Sequence, residues 1–228
     1  LIYKDVFDHK GPIIYLINVI GLSVGGNSEP MGIWILELLS LMFSAFIMYR
    51  TLRLFYGTLV SLLSVITSLF FMIPFLAGGN FTEEWAIPFI SLALYIFAHY
   101  FRVKSELKCI HLFLVSFSFV VAFLLKTNLV VVWGVFGIIV AYDLLKTRRI
   151  KELFKYAIYI LLFILITLAP FVFYFWHNGT LSDAFFCSFK YNIERYGSIN
   201  YSTFYFLAKN LLGFGFLSIL ILLYLLYL

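Results

Sequence analysis

Long apolar runs separated by short polar connections make up most of the chain. A helix satisfies its backbone hydrogen bonds internally, and about 17–25 apolar residues are enough for it to cross a bilayer. The pattern therefore predicts an all-α, polytopic transmembrane helical bundle. We expect about seven spans in this window, at about residues 31–49, 57–76, 85–100, 109–125, 129–145, 156–176 and 204–228.

One further apolar segment, residues 12–25, is too short to cross the membrane comfortably. It begins at Pro12, and proline is favoured at the first position of a helix. The polar run GNSEP ends it at residues 26–30. We predict an interfacial or re-entrant helix here, in the first external loop.

The composition excludes a water-soluble globule. Hydrophobic residues form 64% of the 228 and charged residues 12%, against about 45–50% and about 25% in soluble domains. The chain begins at Leu1 and stops inside an apolar run, so we expect a single membrane-embedded domain, residues 1–228, truncated at both ends.

The charges indicate how the helices are oriented. With residues 3–10 outside, one set of turns is strongly basic, and the positive-inside rule makes it cytoplasmic. These turns contain Arg50, Arg53, Arg102, Lys104, Lys108 and the segment 146–155. Topology thus accounts for the net charge of +5, and the scattered basic turns argue against a nucleic-acid partner. We predict a multi-pass protein of the cell membrane whose active side is external.

Three polar segments lie on the predicted external side and each adjoins a membrane segment: residues 4–10, 78–85 and 126–128. Carboxylates and cations at a lipid boundary suit a charged, lipid-linked substrate, because cations hold phosphate and a carboxylate accepts a proton. We expect the three segments to share one pocket. The candidate substrate-binding residues are Asp5, Asp8, His9, Lys10, Glu83, Glu84, Lys126 and Asn128.

Each segment also has a purely structural interpretation. Residues 4–10 can form a solvated loop whose exposed charge pairs contribute only about 0–1 kcal/mol. Glu83 and Glu84 suit the positive end of a helix that Thr82 caps. The sequence leaves both interpretations open.

Two further features concern single polar positions inside apolar surroundings. Lys126 and Asn128 lie in a tight hairpin, where a snorkelling lysine and an asparagine cap are sufficient explanations. Glu37 lies within a predicted span, and we expect it to face the bundle because a charge facing lipid is costly.

The remaining polar residues indicate neither a zinc site nor a cofactor. The four histidines are scattered without metal-binding spacing, although an acidic cation site stays open. The longest connection, residues 177–203, is rich in Tyr, Asn and Ser, and we interpret it as an external loop and a candidate binding surface.

Three sequence runs carry a resemblance to a known family: YKDVFDHKGPIIYLIN at 3–18, GGNFTEEWAIPF at 78–89 and LLKTNLVVVW at 124–133. The first resembles the first external loop of GT-C membrane glycosyltransferases, in the branch of protein mannosyltransferases and lipid A aminoarabinose transferases. The other two are similar to later segments of the same branch.

This resemblance implies transfer of a sugar from a polyprenyl-phosphate donor to a lipid, glycan or protein acceptor, without a cofactor. It implies that Lys10 and Lys126 contact phosphate and that Glu83 and Glu84 face the sugar or acceptor. The catalytic aspartate would lie before Leu1. The alternative function is a transporter or flippase for a polar or lipid-linked substrate, which also needs charged residues in a cavity.

Overall fold

The structure is a computed structural model, and it describes residues 2–5, 7–26, 30–72, 79–103, 106–191 and 194. Helices account for most of these residues, as predicted. They are α1 Pro12–Val24, α2 Met31–Leu52, α3 Thr58–Met72, α4 Thr82–Val103, α5 Cys109–Leu125, α6 Val131–Lys146, α7 Ile150–His177 and α8 Leu181–Phe185. A 3-10 helix, Thr127–Val130, joins α5 to α6, and a π-helix, Phe186–Lys190, follows α8.

Among the described residues, four helical segments are long and apolar enough to cross a membrane: α2, α4, α7 and the segment Thr127–Lys146 that contains α6. The prediction of seven spans is therefore not supported. Helix α3 has 15 described residues and α5 has 17, which correspond to about 23 and 26 Å, less than the roughly 30 Å of a hydrocarbon core. The predicted span at 204–228 lies outside the described residues.

Two helix boundaries show where hydropathy is informative. Helix α1 begins at Pro12 after extended Gly11 and ends at Val24, close to the predicted 12–25. Helix α7 has 28 residues and includes the charged stretch 150–155, which was predicted to precede the span. Hydropathy marks only the apolar part of a helix, whereas the backbone hydrogen bonds continue into its polar first turns.

The helices pack in a chain of neighbours, with α2 against α4, α4 against α5, and α5 against α7. Helix α1 packs on both α2 and α5. The main buried cluster lies where α1, the start of α4 and the end of α5 meet, and includes Ile14, Ala86, Val120 and Leu125. This core supports the polar segments that adjoin it.

The prediction of a long loop at 177–203 is wrong for its first part. After a turn at Asn178–Thr180 the chain forms α8 and the π-helix. Ala184 and Cys187 are buried there against Tyr3 and Phe175. Burial of these small side chains against two aromatic rings stabilises the segment on the bundle.

Candidate functional site

The three polar segments meet at one end of the bundle, which we call the polar end: residues 2–11, 79–84 and 126–128. The key contact is between backbones, because the Gly11 N–H donates to the carbonyl of Leu125 at 3.0 Å. It fixes the N-terminal loop on the last turn of α5, directly before Lys126. The three segments therefore lie close together among the described residues, and the pocket that they are expected to share stays a prediction.

Asp8 is the centre of the N-terminal loop. Its Oδ2 accepts a hydrogen bond from the Tyr15 hydroxyl at 2.7 Å, and its Oδ1 accepts one from the Lys10 backbone N–H at 3.1 Å. His9 Nδ1 lies 3.5 Å from the same Oδ1. Partial burial acts to raise the pKa of Asp8, but these hydrogen bonds and the charges of Lys10 and His9 outweigh it, so the pKa is lowered. Asp8 is thus an ionised anchor of the loop.

Two tyrosines support this loop, and sequence reasoning missed both. The Tyr3 hydroxyl donates to the Lys10 carbonyl at 2.6 Å, and its ring lies edge-on to Tyr15 at 6.3 Å between centroids. Burial raises the pKa of both phenols, and the hydrogen bond to Asp8 raises that of Tyr15 further. Their position on either side of the charged run 4–10 was the available signal.

Lys10 is a cation of the polar end that forms no ion pair with the described residues. Among the described residues no carboxylate lies within ion-pair distance of its ammonium. Its backbone is held on both sides, because the carbonyl accepts from Tyr3 and the N–H donates to Asp8. Asp5, in the same loop, is exposed.

Lys126 is already paired. Its ammonium lies 2.5 Å from Glu83 Oε1, and the Thr82 hydroxyl donates to Glu83 Oε2 at 2.8 Å. A phosphate that approaches Lys126 would have to compete with this carboxylate. Asn128 is exposed within the 3-10 helix, and its predicted role as a helix cap is wrong because the residue at that position is Val130.

The third part of the polar end is an acidic pair between α2 and α4. Glu37 is only 7% exposed and faces the bundle, as predicted, and it accepts the Asn80 backbone N–H at 3.0 Å. Glu84 accepts the Phe81 backbone N–H at 3.0 Å. Glu84 is the third residue of α4 and satisfies the N–H of Phe81, the residue that precedes the helix. The predicted cap at Thr82 is wrong, because Thr82 is the first residue of the helix.

The carboxyl groups of Glu37 and Glu84 lie close together, because they accept the backbone N–H groups of two consecutive residues, Asn80 and Phe81. Glu84 Oε1 is buried and has no donor among the described residues. A hydrogen bond between two carboxyl groups forms only when one of them carries a proton. One proton shared by the pair would satisfy the Glu84 oxygen.

An apolar groove of about 340 Å³ lies beside the N-terminal loop, between α1 and the last turns of α7. Its lining includes Pro12, Tyr15, Val19, Pro170 and Phe171. Tyr15 belongs to both regions, because its ring lines the groove while its hydroxyl binds Asp8. The polar end thus combines a charged loop with an apolar groove.

The polar end offers no assembled metal site within the part of the chain that the structure describes. No group of three or more His, Cys, Asp or Glu side chains converges there. Asp8, Glu37, Glu83 and Glu84 contact Lys126, the Tyr15 hydroxyl or backbone N–H groups instead.

Comparison with known proteins gives one family and no closer relative. The family model described as "Putative competence-induced protein Ccs4 N-terminal domain" matches residues 1–225. No curated protein and no solved structure matches the chain.

The family match corrects the resemblance to GT-C membrane glycosyltransferases, which is wrong. The three runs on which that resemblance rested are short combinations of aromatic, charged and proline residues beside apolar helices. Such combinations recur at membrane boundaries because tyrosine and lysine suit that position in any membrane protein. The inference of a catalytic aspartate before Leu1 depended on this resemblance alone. The match covers nearly the whole chain, and the chain belongs to the Ccs4 N-terminal domain family.

Proposed function

We propose that the polar end binds the charged headgroup of a lipid-linked substrate at the external face of the cell membrane. The observation that supports this best is Tyr15, whose ring lines the apolar groove while its hydroxyl holds the charged loop through Asp8. A lipid-linked substrate has the same division, with a hydrocarbon chain attached to a charged group.

The groove between α1 and α7 is the site for the hydrocarbon chain. Its volume of about 340 Å³ falls within the roughly 300–1,000 Å³ of small-molecule sites. Proline, aliphatic and aromatic side chains form its wall, so burial of apolar surface drives binding. The substrate proposed for this groove is a polyprenyl phosphate or a sugar linked to it.

Lys10 is the residue proposed to hold the phosphate. Its ammonium has no ion-pair partner among the described residues, and Tyr3 and Asp8 fix its backbone on either side. Such support lowers the entropy that is lost when the side chain binds an anion. Lys126 would join the site when phosphate displaces Glu83.

The enzymatic form of this proposal is transfer of the sugar to a lipid, glycan or protein acceptor. The bond between the sugar carbon and the phosphate oxygen breaks, a bond to an acceptor oxygen forms, and a carboxylate takes the acceptor proton. The side chain of Glu83 is 51% exposed, and it is therefore the accessible carboxylate for that step.

A second candidate is transport of a polar or lipid-linked substrate, and the Glu37–Glu84 pair favours it. Buried acids at a helix interface in a membrane protein commonly bind a proton or an ion whose movement is coupled to a substrate. These two carboxyl groups lie between α2 and α4, near the Lys126–Glu83 ion pair.

Binding is tested first, with the purified full-length protein in detergent and a titration of polyprenyl phosphate followed by tryptophan fluorescence. Lys10→Gln should weaken binding by about tenfold or more, because a charge-assisted contact contributes about 1.5–3 kcal/mol. Arg50→Gln, which removes an exposed cation from the last turn of α2, is the matched control and should bind normally. Equal affinities for both variants would refute the site.

Two further assays separate the candidate functions. Covalent transfer of a labelled sugar from polyprenyl phosphate supports the enzyme, whereas counterflow uptake into proteoliposomes without a covalent product supports the transporter. The family is described as competence-induced, so assays in cells belong in competent cultures.

A further inference from the structure

A second cavity lies between α4, α5, α6 and α7 and extends toward the end of the bundle opposite the polar end. Its volume is about 420 Å³. The lining runs from Trp133 on α6 to Leu144 and Tyr156 near the α6–α7 turn. We propose that this cavity binds one acyl chain of an anionic phospholipid, whose headgroup contacts the basic residues of that turn.

The side chains that line the cavity favour an apolar ligand. The polar side chains that reach the cavity already have partners inside the protein. Trp133 Nε1 donates to Ser118 at 3.2 Å, Ser116 donates to the Leu112 carbonyl at 2.8 Å, and the Tyr100 hydroxyl donates to Asp143 at 2.7 Å. A space of this kind offers water few hydrogen bonds, and apolar cavities bind hydrocarbon instead.

The helix α6 leaves this space open through its glycines. Gly134 and Gly137 both line the cavity, and a Cβ atom added at either position would meet no atom within 4 Å. Small residues in membrane helices usually allow a neighbouring helix to approach closely. Here they face the cavity, so they enlarge it.

The cavity is walled by helices that face the membrane. Only 11% of the most apolar window of Thr127–Lys146 and 6% of that of α7 are buried inside the bundle. An acyl chain can therefore enter from the bilayer between these helices. A phospholipid is the ligand that the surroundings supply in excess at that depth.

Basic residues near the cavity indicate that the lipid headgroup is anionic. Four basic side chains lie at or beside the α6–α7 turn, all exposed and without an ion-pair partner among the described residues: Lys146 at the end of α6, Arg148 in the turn, and Lys151 and Lys155 at the start of α7. Arg149 differs, because it forms an ion pair with Glu152. Leu144 and Leu153, on either side of this turn, line the cavity. The basic groups thus stand where the headgroup of an inserted lipid would lie.

The test uses contact between lipid and Trp133. Full-length protein and its Trp133→Phe variant are placed in nanodiscs with phosphatidylglycerol or phosphatidylcholine whose acyl chains carry bromine, which quenches tryptophan on contact. The difference between the two proteins isolates Trp133. We expect quenching by brominated phosphatidylglycerol to saturate at a low mole fraction, and phosphatidylcholine to require much more. Equal quenching by both lipids, or no Trp133-dependent quenching, would overturn the proposal.

Variants test the two parts separately. Gly137→Leu fills the cavity and should abolish the Trp133-dependent quenching, whereas Val135→Leu, on an exposed face of α6, should leave it unchanged. Arg148→Gln and Lys151→Gln should each weaken the preference for phosphatidylglycerol by about fivefold. Unchanged quenching in Gly137→Leu, or an unchanged lipid preference in the charge variants, would contradict the corresponding part.

Discussion

The contact between Gly11 and α5 determines whether the polar end exists as a single site. A Cβ atom at position 11 would lie 1.9 Å from the Leu124 carbonyl oxygen and 2.4 Å from its carbon. Both are backbone atoms of a packed helix and cannot move aside as a side chain can. Gly11→Ala should therefore separate the N-terminal loop from the end of α5.

The cost has two components that the structure identifies. The hydrogen bond from Gly11 to Leu125 would be lost, at about 0.5–1.5 kcal/mol. Forcing a methyl group into a packed contact costs about 1–3 kcal/mol more. Together they predict a loss of about 2–4 kcal/mol of unfolding free energy. Gly57→Ala is the control, because a Cβ atom there meets nothing within 4 Å.

Unfolding by SDS in mixed micelles measures the free energy, and amide hydrogen exchange of the peptide covering residues 7–15 reports the loop itself. Gly11→Ala should exchange faster in this peptide than both wild type and Gly57→Ala. It should also bind polyprenyl phosphate less tightly, because Lys10 moves with the loop. A Gly11→Ala protein that matches Gly57→Ala in stability and in exchange would refute the reasoning.

Three further predictions concern individual contacts of the polar end. Asp8 has a lowered pKa, so its stabilising contribution is present above the unfolded value of 3.8 and is lost as the pH falls through the folded value. Tyr15→Phe removes a hydrogen bond that lowers this pKa, so the variant should lose less unfolding free energy than wild type between pH 6 and pH 3. Equal losses in the two proteins would contradict the prediction. The Glu83–Lys126 pair is partly exposed, so a double-mutant cycle with Glu83→Gln and Lys126→Met should give a coupling of at most about 1 kcal/mol; a larger value would show that the pair is buried. Glu37→Leu leaves the Asn80 N–H without its acceptor and should cost about 1–3 kcal/mol, whereas no loss in the same unfolding assay would argue against that contact.

The sequence was most informative where polar residues bound an apolar run on both sides. Helix α5 begins at Cys109 and ends at Leu125 as predicted, because charged residues flank it closely. Glu37 could be placed toward the bundle because one charge in an apolar helix has few tolerable environments. The free-energy cost of exposing one charge to lipid depends on that residue and its own helix, so the sequence pattern alone can reveal it.

The contacts between side chains of the site could not be predicted from the sequence in the same way. Glu37 meets Asn80, and Glu83 meets Lys126, across 43 residues in each case. Their distances depend on how α2, α4 and α5 pack, and no local pattern specifies that packing. The cavity beside Gly134 and Gly137 has the same origin, because glycines in a membrane helix ordinarily indicate close packing.

The central claim is that separate polar segments form one site on one side of the membrane. Its most direct test is labelling with a membrane-impermeant thiol reagent, in a background where Cys109 and Cys187 are replaced. Cysteines at Lys10 and Asn128 should both react when the reagent is added outside intact cells, and a cysteine at Arg148 should react only after the membrane is opened. Reaction of Lys10→Cys and Asn128→Cys from different sides of the membrane would contradict the account.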